Sequence, residues 1–135
     1  MVSIHDVNPN AVIEKTADEL KKVIKAPEFS QYVKTGSGKE RPPMDKDWYY
    51  KRAAAILRSV YLRGPIGTNK LRVKYGNRAN IGVAGERVYK ASGKIIRMIL
   101  QQLEKAELIK QIEKGVNKGR IITNKGKSFL DKLAK

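Results

Sequence analysis

The sequence predicts a mainly α-helical bundle of winged helix-turn-helix type, built around a central amphipathic helix and carrying one small β-hairpin as its wing. Residues 47–63 repeat apolar side chains at helical spacing on two faces, so this helix needs packed neighbours on two sides. Two more helical segments follow, at 68–75 and 92–107. Residues 108–123 then read as strand, GVNKG turn and returning strand, which predicts the wing before a last helix.

Size and composition exclude several classes of protein. A chain of 135 residues predicts one domain, and the absence of cysteine excludes disulfides and thiolate metal sites. The acids are scattered and the only histidine, His5, has no catalytic neighbours, so we expect no enzyme, metal, cofactor or small-molecule substrate. The first ten residues lack the pattern of a signal peptide, and no apolar run approaches membrane-spanning length. We therefore expect a cytoplasmic protein.

The net charge of +16 is unevenly distributed along the chain. Residues 1–33 hold four Lys against five acids, for a net charge of −1. Residues 34–97 hold sixteen Lys or Arg against four acids (net +12), and residues 98–135 hold nine against four (net +5). Self-repulsion of this size predicts an anionic partner, and nucleic acid is the first candidate. A membrane surface is not expected, because no segment combines strong apolar and basic faces without a role in the core.

The central helix places basic side chains between its two apolar faces. The structural core residues expected on those faces are Trp48, Tyr49, Ile56, Val60 and Leu62. Arg52 and Arg63 lie on one side of the helix, and Lys51 and Arg58 lie on the other. We therefore expect that one nucleic-acid surface cannot use all four, and that substituting Arg52 or Arg58 leaves a folded protein. Asp47 is the expected N-cap.

The segments before the central helix are predicted to face away from the anionic partner or to be mobile. Asn8 caps a first helix with Pro9 at its first position, and the expected core face is Ile13, Ala17, Leu20 and Ile24. Residues 34–46 are rich in Gly and Pro and lack periodicity, which predicts a mobile loop. The GSGK within it lacks the glycine and hydroxyl residue of a phosphate-binding loop.

Basic side chains are concentrated after residue 51. We expect Thr68 to cap the short helix, residues 78–93 to be irregular, and Ser92 to cap the next helix. Tyr75 and Tyr89, in basic segments, are the candidates for stacking on bases. Some arginines of the central helix could instead orient neighbouring loops by hydrogen bonding. The residues predicted to bind the nucleic acid, which the resemblance described next implies is RNA, are Arg52, Arg58, Arg63, Lys70, Arg72, Lys74, Arg78, Arg87, Lys90, Lys94, Arg97, Lys118 and Arg120.

A family resemblance covers essentially the whole chain. It is carried by WYYKRAAAILRSVYLRGPIG, KYGNR, SGKIIRMILQQLEKAELIK and GR-x-x-T-x-x-G. These motifs resemble the archaeal and eukaryotic small-subunit ribosomal protein family nineteen-e. The resemblance implies a winged-helix fold in the head of the small ribosomal subunit, bound to ribosomal RNA beside other small-subunit ribosomal proteins. It also implies a role in subunit maturation, and the C-terminus without an added tail is more similar to the archaeal form.

Two functions remain as alternatives. The first is a structural RNA-binding constituent of the small subunit, needed for its assembly. The second is a winged-helix DNA-binding transcription regulator, which would concentrate charge on the 92–107 helix and the wing and usually needs a dimer. Twelve of the sixteen surplus charges lie in residues 34–97, and no dimerisation segment is visible. We therefore favour the ribosomal reading and expect a monomer outside the ribosome.

Overall fold

The computed structural model describes residues 3–134, and within this range the chain is mostly α-helical with a small β part. The helices are α1 (Pro9–Val23), α2 (Trp48–Arg63), α3 (Thr68–Lys74), α4 (Gly93–Lys105) and α5 (Asn124–Leu133). The strands are β1 (Asn77–Ala79), β2 (Arg87–Tyr89), β3 (Ile109–Ile112) and β4 (Gly119–Ile122). β1 pairs with β2, and β3 with β4, as two separate antiparallel hairpins. The mainly α prediction is confirmed, whereas the prediction of a single hairpin is wrong.

Helix α2 occupies the central position that its two apolar faces predict. It packs against α1, α4 and β4. Tyr49, Ile56 and Val60 are fully buried on its broad face, as expected. Trp48 and Leu62, from the narrow stripe, are only half-buried but pack against the same core. Both apolar faces therefore pack against the core, but the narrow one lies at its edge and is only partly buried.

A chain of side-chain hydrogen bonds joins α2, α4 and the segment that follows α1. The buried Tyr49 hydroxyl donates to Gln102 Oε1 at 2.9 Å. Gln102 Nε2 in turn donates to the Lys25 carbonyl oxygen at 2.8 Å. Burial raises the pKa of Tyr49 to about 12. The neutral phenol is therefore the form that the folded core stabilises.

The first helix begins as predicted but buries a broader face. Asn8 Oδ1 accepts a hydrogen bond from the Asn10 backbone N–H at 3.0 Å. Val12 and Thr16 are buried, whereas Ile13 is only half-buried. The predicted face was too narrow because α1 packs against both α2 and α5, and so needs two adjacent stripes.

Two of the other predicted N-caps are at the right position but do not form the expected capping hydrogen bond. Asp47 and Ser92 occupy N-cap positions without a side-chain capping bond. The Asp47 carboxylate instead accepts from Lys21 Nζ at 2.8 Å. Helix α3 is preceded by Gly67 as N-cap, so the expectation for Thr68 is wrong. Here the extended backbone of Gly67 sets the boundary, and Thr68 is already helical.

The segment predicted to be irregular forms the hairpin β1–β2, which Tyr89 anchors to the body of the domain. A Cβ at Gly38 would lie 2.8 Å from the Tyr89 Cβ, and one at Gly76 would lie 2.5 Å from the Tyr89 carbonyl oxygen. Only glycine permits these approaches. The hairpin was missed because its strands have three residues each, too few to show alternation.

Part of the 34–46 loop is tied to the start of α4. The Ser92 N–H donates to the Thr35 carbonyl oxygen at 2.8 Å, and Gly36 forms an isolated bridge with Ala91. Asn77 Nδ2 also donates to the Gly38 carbonyl oxygen at 2.9 Å. Mobility of the loop stays a prediction, and these bonds restrict it to residues beyond 38.

The last helix is fixed to the second hairpin by the predicted Thr and Gly. Thr123 Oγ1 accepts from the Gly126 N–H at 3.1 Å and donates to the Leu108 carbonyl oxygen at 3.0 Å. A Cβ at Gly126 would lie 2.3 Å from that same oxygen. Glycine at this position therefore lets α5 approach the start of β3.

Gly126→Ala is expected to lower the free energy of unfolding by about 1–3 kcal/mol or more, because the added methyl group collides with backbone that cannot rotate away. Gly85→Ala is the matched control, since a Cβ there meets nothing within 4 Å. Urea denaturation of both variants measures the difference. Equal midpoints for the two would contradict the close approach of α5 and β3.

Tyr49→Phe is expected to cost about 1 kcal/mol at pH 8, through loss of one buried hydrogen bond. A folded-state pKa near 12, above the unfolded value of 10.0, means that stability from the neutral phenol is present below pH 10 and is lost as pH rises toward 12. Thermal melts at pH 8 and pH 11 should show a smaller alkaline loss for the variant. A loss as large as that of the wild type would contradict this account.

Candidate nucleic-acid interface

The predicted RNA-binding side chains carry almost no compensating negative charge. Within residues 3–134, only one of the thirteen has a carboxylate within 4 Å: Arg120 Nε lies 3.9 Å from Glu104 Oε2. The other ion pairs in this range involve Lys21, Lys22, Lys51 and Lys125. The positive charge of the interface therefore remains available to an external anion.

Four basic residues converge where α3 returns over α2, and we call them the α2–α3 cluster: Arg52, Arg58, Arg63 and Lys74. Their centre is Tyr75, whose ring centroid lies 4.4 Å from the Arg52 guanidinium carbon. The Tyr75 hydroxyl is 3.3 Å from Ser59 Oγ on α2, and Lys74 Nζ also bonds to Ser59 Oγ. A tyrosine and a serine thus hold cations from two helices side by side.

The pKa values of Lys74 and Tyr75 are shifted by the positive charges around them. Burial lowers the pKa of Lys74, and the charges of Arg63 and Arg58 lower it further. Burial raises the pKa of Tyr75, an effect opposed by the Ser59 hydrogen bond and by all three arginines. Lys74 and Tyr75 bond to Ser59, the residue after Arg58, so arginines from both sides of α2 act on the same two side chains. That one RNA surface cannot use all four basic residues of α2 stays a prediction.

Arg52 and Arg58 differ in their contacts within the protein. Desolvation lowers the pKa of Arg52, whose guanidinium lies over the Tyr75 ring. Arg52 therefore braces Tyr75 at the end of α3 through a cation–π contact. Arg58 Nε is buried without a hydrogen-bond partner in the described part of the chain. Arg63 is exposed at the end of α2. Phosphate binding by these two residues stays a prediction.

A second basic site is a shallow groove of about 490 Å³ between the start of α3, the outer face of α4 and the β3–β4 turn. We call it the α4 groove. It brings together the predicted residues Lys70, Arg97 and Lys118, and Asn69 and Asn117 add neutral polar groups. No carboxylate lines it. Cationic and amide side chains around one groove suit contacts to phosphate and sugar.

The remaining predicted residues divide between the β1–β2 hairpin and positions that brace the fold. Arg78, Arg87 and Lys90 are exposed on the hairpin. Arg72 Nε donates to the Ala91 carbonyl oxygen at 3.0 Å, so this side chain fixes the entry to α4. The Arg72 and Arg97 side chains both lie against Gly93, where a Cβ would be 3.3 Å from Arg72 Nε and 2.8 Å from Arg97 Nη1.

Two predicted residues, one on α4 and one on β4, have partners within the protein. Lys94 Nζ lies 4.5 Å from the centroid of the Phe29 ring, although the lysine itself is exposed. Arg120 is half-buried, and its backbone exchanges hydrogen bonds of 3.1 Å with Ile66. RNA binding by both residues stays a prediction.

Sequence reasoning missed a cavity of about 620 Å³ between the 34–46 loop and the β1–β2 hairpin. Lys34 and Asn77 line it together with Lys39 and Arg78. Nothing in the local sequence pairs these residues, because the contact depends on the unrecognised hairpin. Within residues 3–134, no group of three His, Cys, Asp or Glu side chains is placed to hold a metal ion. No helix in this range is long and apolar enough to cross a membrane.

Comparison with known proteins finds relatives along nearly the whole chain. A small ribosomal subunit protein eS19 of Aeropyrum pernix is 42% identical over 139 residues, covering 100% of this chain and 89% of the relative. Proteins of the same name from Oryza sativa subsp. japonica and Haloarcula marismortui are 42% and 40% identical, each covered over 90% of its length. The family described as Ribosomal protein S19e matches residues 3–135. The chain belongs to the ribosomal protein S19e family, which has members in archaea and eukaryotes.

Proposed function

We propose that this protein is a structural constituent of the small ribosomal subunit that binds ribosomal RNA and is needed for subunit assembly. It would act on the cytoplasmic ribosome, next to other small-subunit ribosomal proteins, and be monomeric outside it. The observation that carries the proposal is the set of twelve predicted basic residues without a carboxylate within 4 Å in the described chain. Relatives that carry a ribosomal name support the same role.

We further propose that α2, α3, α4 and the β3–β4 hairpin form a winged helix. Their order along the chain and the groove between α3, α4 and the β3–β4 turn support this assignment. In this arrangement, α4 would present Arg97 to RNA, and the β3–β4 turn would present Lys118. The alternative of a DNA-binding regulator gains no support, since the relatives described above are ribosomal proteins.

The proposed mechanism is neutralisation of phosphates on a folded RNA that the protein recognises by shape. Lys and Arg side chains release counterions from the RNA when they bind, so affinity depends on salt. The α2–α3 cluster and the α4 groove would contact separate stretches of backbone. No reaction is involved, and the protein would contribute by fixing the RNA fold during assembly.

The proposal is tested by sedimentation of the purified protein with small ribosomal subunits. We expect co-sedimentation at low salt and release as salt rises, because the contacts are largely electrostatic. A protein that remains free, or that binds only duplex operator DNA, would contradict the proposal.

Arg97→Gln is expected to weaken binding to extracted small-subunit ribosomal RNA and to reduce the log–log salt slope by about 1, through loss of one phosphate contact. The wild-type slope should be on the order of −4 or steeper if six or more phosphates are neutralised. Lys105→Gln, on the exposed end of the same helix, removes one charge outside the groove. Filter binding at several salt concentrations should show the slope change for Arg97→Gln alone.

Lys74→Gln is expected to separate binding from stability. Because burial and neighbouring arginines lower the pKa of Lys74, its charge is unfavourable in the free protein. Removing it should leave the free energy of unfolding within about 0.5 kcal/mol of wild type, or raise it. Affinity for ribosomal RNA should fall, as measured by filter binding. A clear loss of stability with unchanged RNA affinity would assign Lys74 to the fold instead.

A further inference from the structure

The turn of the β1–β2 hairpin lines an open cavity of about 280 Å³, to which Arg87 of the predicted interface contributes. Ala79, Ile81 and Val83 line it together with Arg87 and Tyr89, and no carboxylate does. Ile81 is 73% exposed and Val83 is fully exposed. Single exposed apolar residues are ordinary, but a cluster around a concavity on a strongly basic protein indicates a binding site.

The aromatic wall of this cavity is fixed by the fold. Tyr89 packs on one side against Gly38, so closely that a Cβ there would lie 3.0 Å from Tyr89 Cδ2. Its carbonyl oxygen is held against Gly76. The ring is thus half-buried and braced before any ligand arrives. A positioned aromatic ring stacks on a planar ligand with little loss of conformational entropy.

A cationic cavity adjoins the apolar one. The cavity of about 620 Å³ between the hairpin and the 34–46 loop shares Ala79 and Ile81 with it. Lys34, Lys39 and Arg78 line this second cavity, against a single acid, Glu40. An apolar concavity with an aromatic wall therefore lies directly beside a site for an anion. A nucleotide of RNA has this same combination of a flat base and a phosphate.

We propose that the β1–β2 cavity binds one unpaired nucleobase of RNA, stacked on Tyr89, while the adjoining lysines and Arg78 bind the neighbouring phosphates. The inference rests on the proposed function, since it specifies the kind of RNA recognised. A base inside a duplex is stacked on both faces, so the ligand is a bulged or looped nucleotide. The cavity falls just below the roughly 300–1,000 Å³ range of drug-sized sites, which suits a single ring system.

Tyr75, the other candidate for stacking on a base, already has a protein group on its ring. Its ring is covered by the Arg52 guanidinium at 4.4 Å, and its hydroxyl is 3.3 Å from Ser59. Of these two tyrosines, Tyr89 is therefore the one that lines this open cavity.

The experiment compares two short RNA hairpins that differ by one bulged nucleotide, 2-aminopurine, using the full-length protein. Stacking on an aromatic side chain contributes about 1–3 kcal/mol per base, or roughly 5- to 150-fold in affinity. We expect the wild type to prefer the bulged RNA by a factor in this range. The fluorescence of 2-aminopurine should change on binding as its base moves from the helix to the cavity.

Val83→Ser and Tyr89→Leu should abolish the preference for the bulge. Val83 is fully exposed, so its variant keeps the fold even if Tyr89→Leu disturbs the hairpin. Val23→Ser is the matched control, because Val23 is 51% exposed on α1, outside both hairpin cavities. It should keep the wild-type preference. A melting curve for each variant checks that folding is intact.

Equal affinity of the wild type for both hairpins, with binding to extracted ribosomal RNA still steeply dependent on salt, would overturn the base site and leave the proposed function intact. Failure to bind any of these RNAs would overturn both. If Val83→Ser keeps the bulge preference but no longer co-sediments with small subunits, the cavity docks a ribosomal protein and the base site is refuted.

Discussion

Packing of α2 against α1, α4 and β4 determines where the basic side chains of this helix lie. The fully buried Tyr49, Ile56 and Val60 orient the helix, because turning it would expose them to water. Its basic residues are thereby confined to the arc that these neighbours leave open. Helix α3 then crosses that arc at Ser59 and adds Lys74 to it. The same burial that builds the core thus assembles a cationic cluster from two helices.

Concentrated charge of one sign has a cost, and the structure limits it with neutral groups instead of carboxylates. The Arg52 guanidinium lies on the Tyr75 ring, and the Ser59 hydroxyl accepts a bond from Lys74. These contacts hold the cations in place but leave their charge uncompensated. An arriving phosphate would therefore find donors already oriented and would relieve mutual repulsion. Pairing the same residues with acids would stabilise the free protein and weaken that response.

Features with a local cause could be predicted from the sequence, and those that depend on contacts between distant segments could not. Helical periodicity located α2 and α4, and the Thr123–Gly126 pattern located the start of α5. The β1–β2 hairpin was missed because its three-residue strands show no alternation and because the glycines that its Tyr89 packs against, Gly38 and Gly76, lie outside those strands. Basic residue types identified the candidate interface. The distinction between Arg52 or Arg72 as braces and Arg97 as a groove residue needs their partners, which only the folded chain brings near.

Helix α1 offers a contrast in how charge is handled. Lys21 bonds to Asp18 and Asp47, and Lys22 bonds to Glu19, so this helix neutralises itself. Residues 1–33 together carry a net charge of −1, whereas residues 34–97 carry +12. Under the proposed function, the field of the RNA would orient this uneven charge before contact. Encounters would then begin with the basic segments foremost, and their rate would fall as ionic strength shortens the reach of that field.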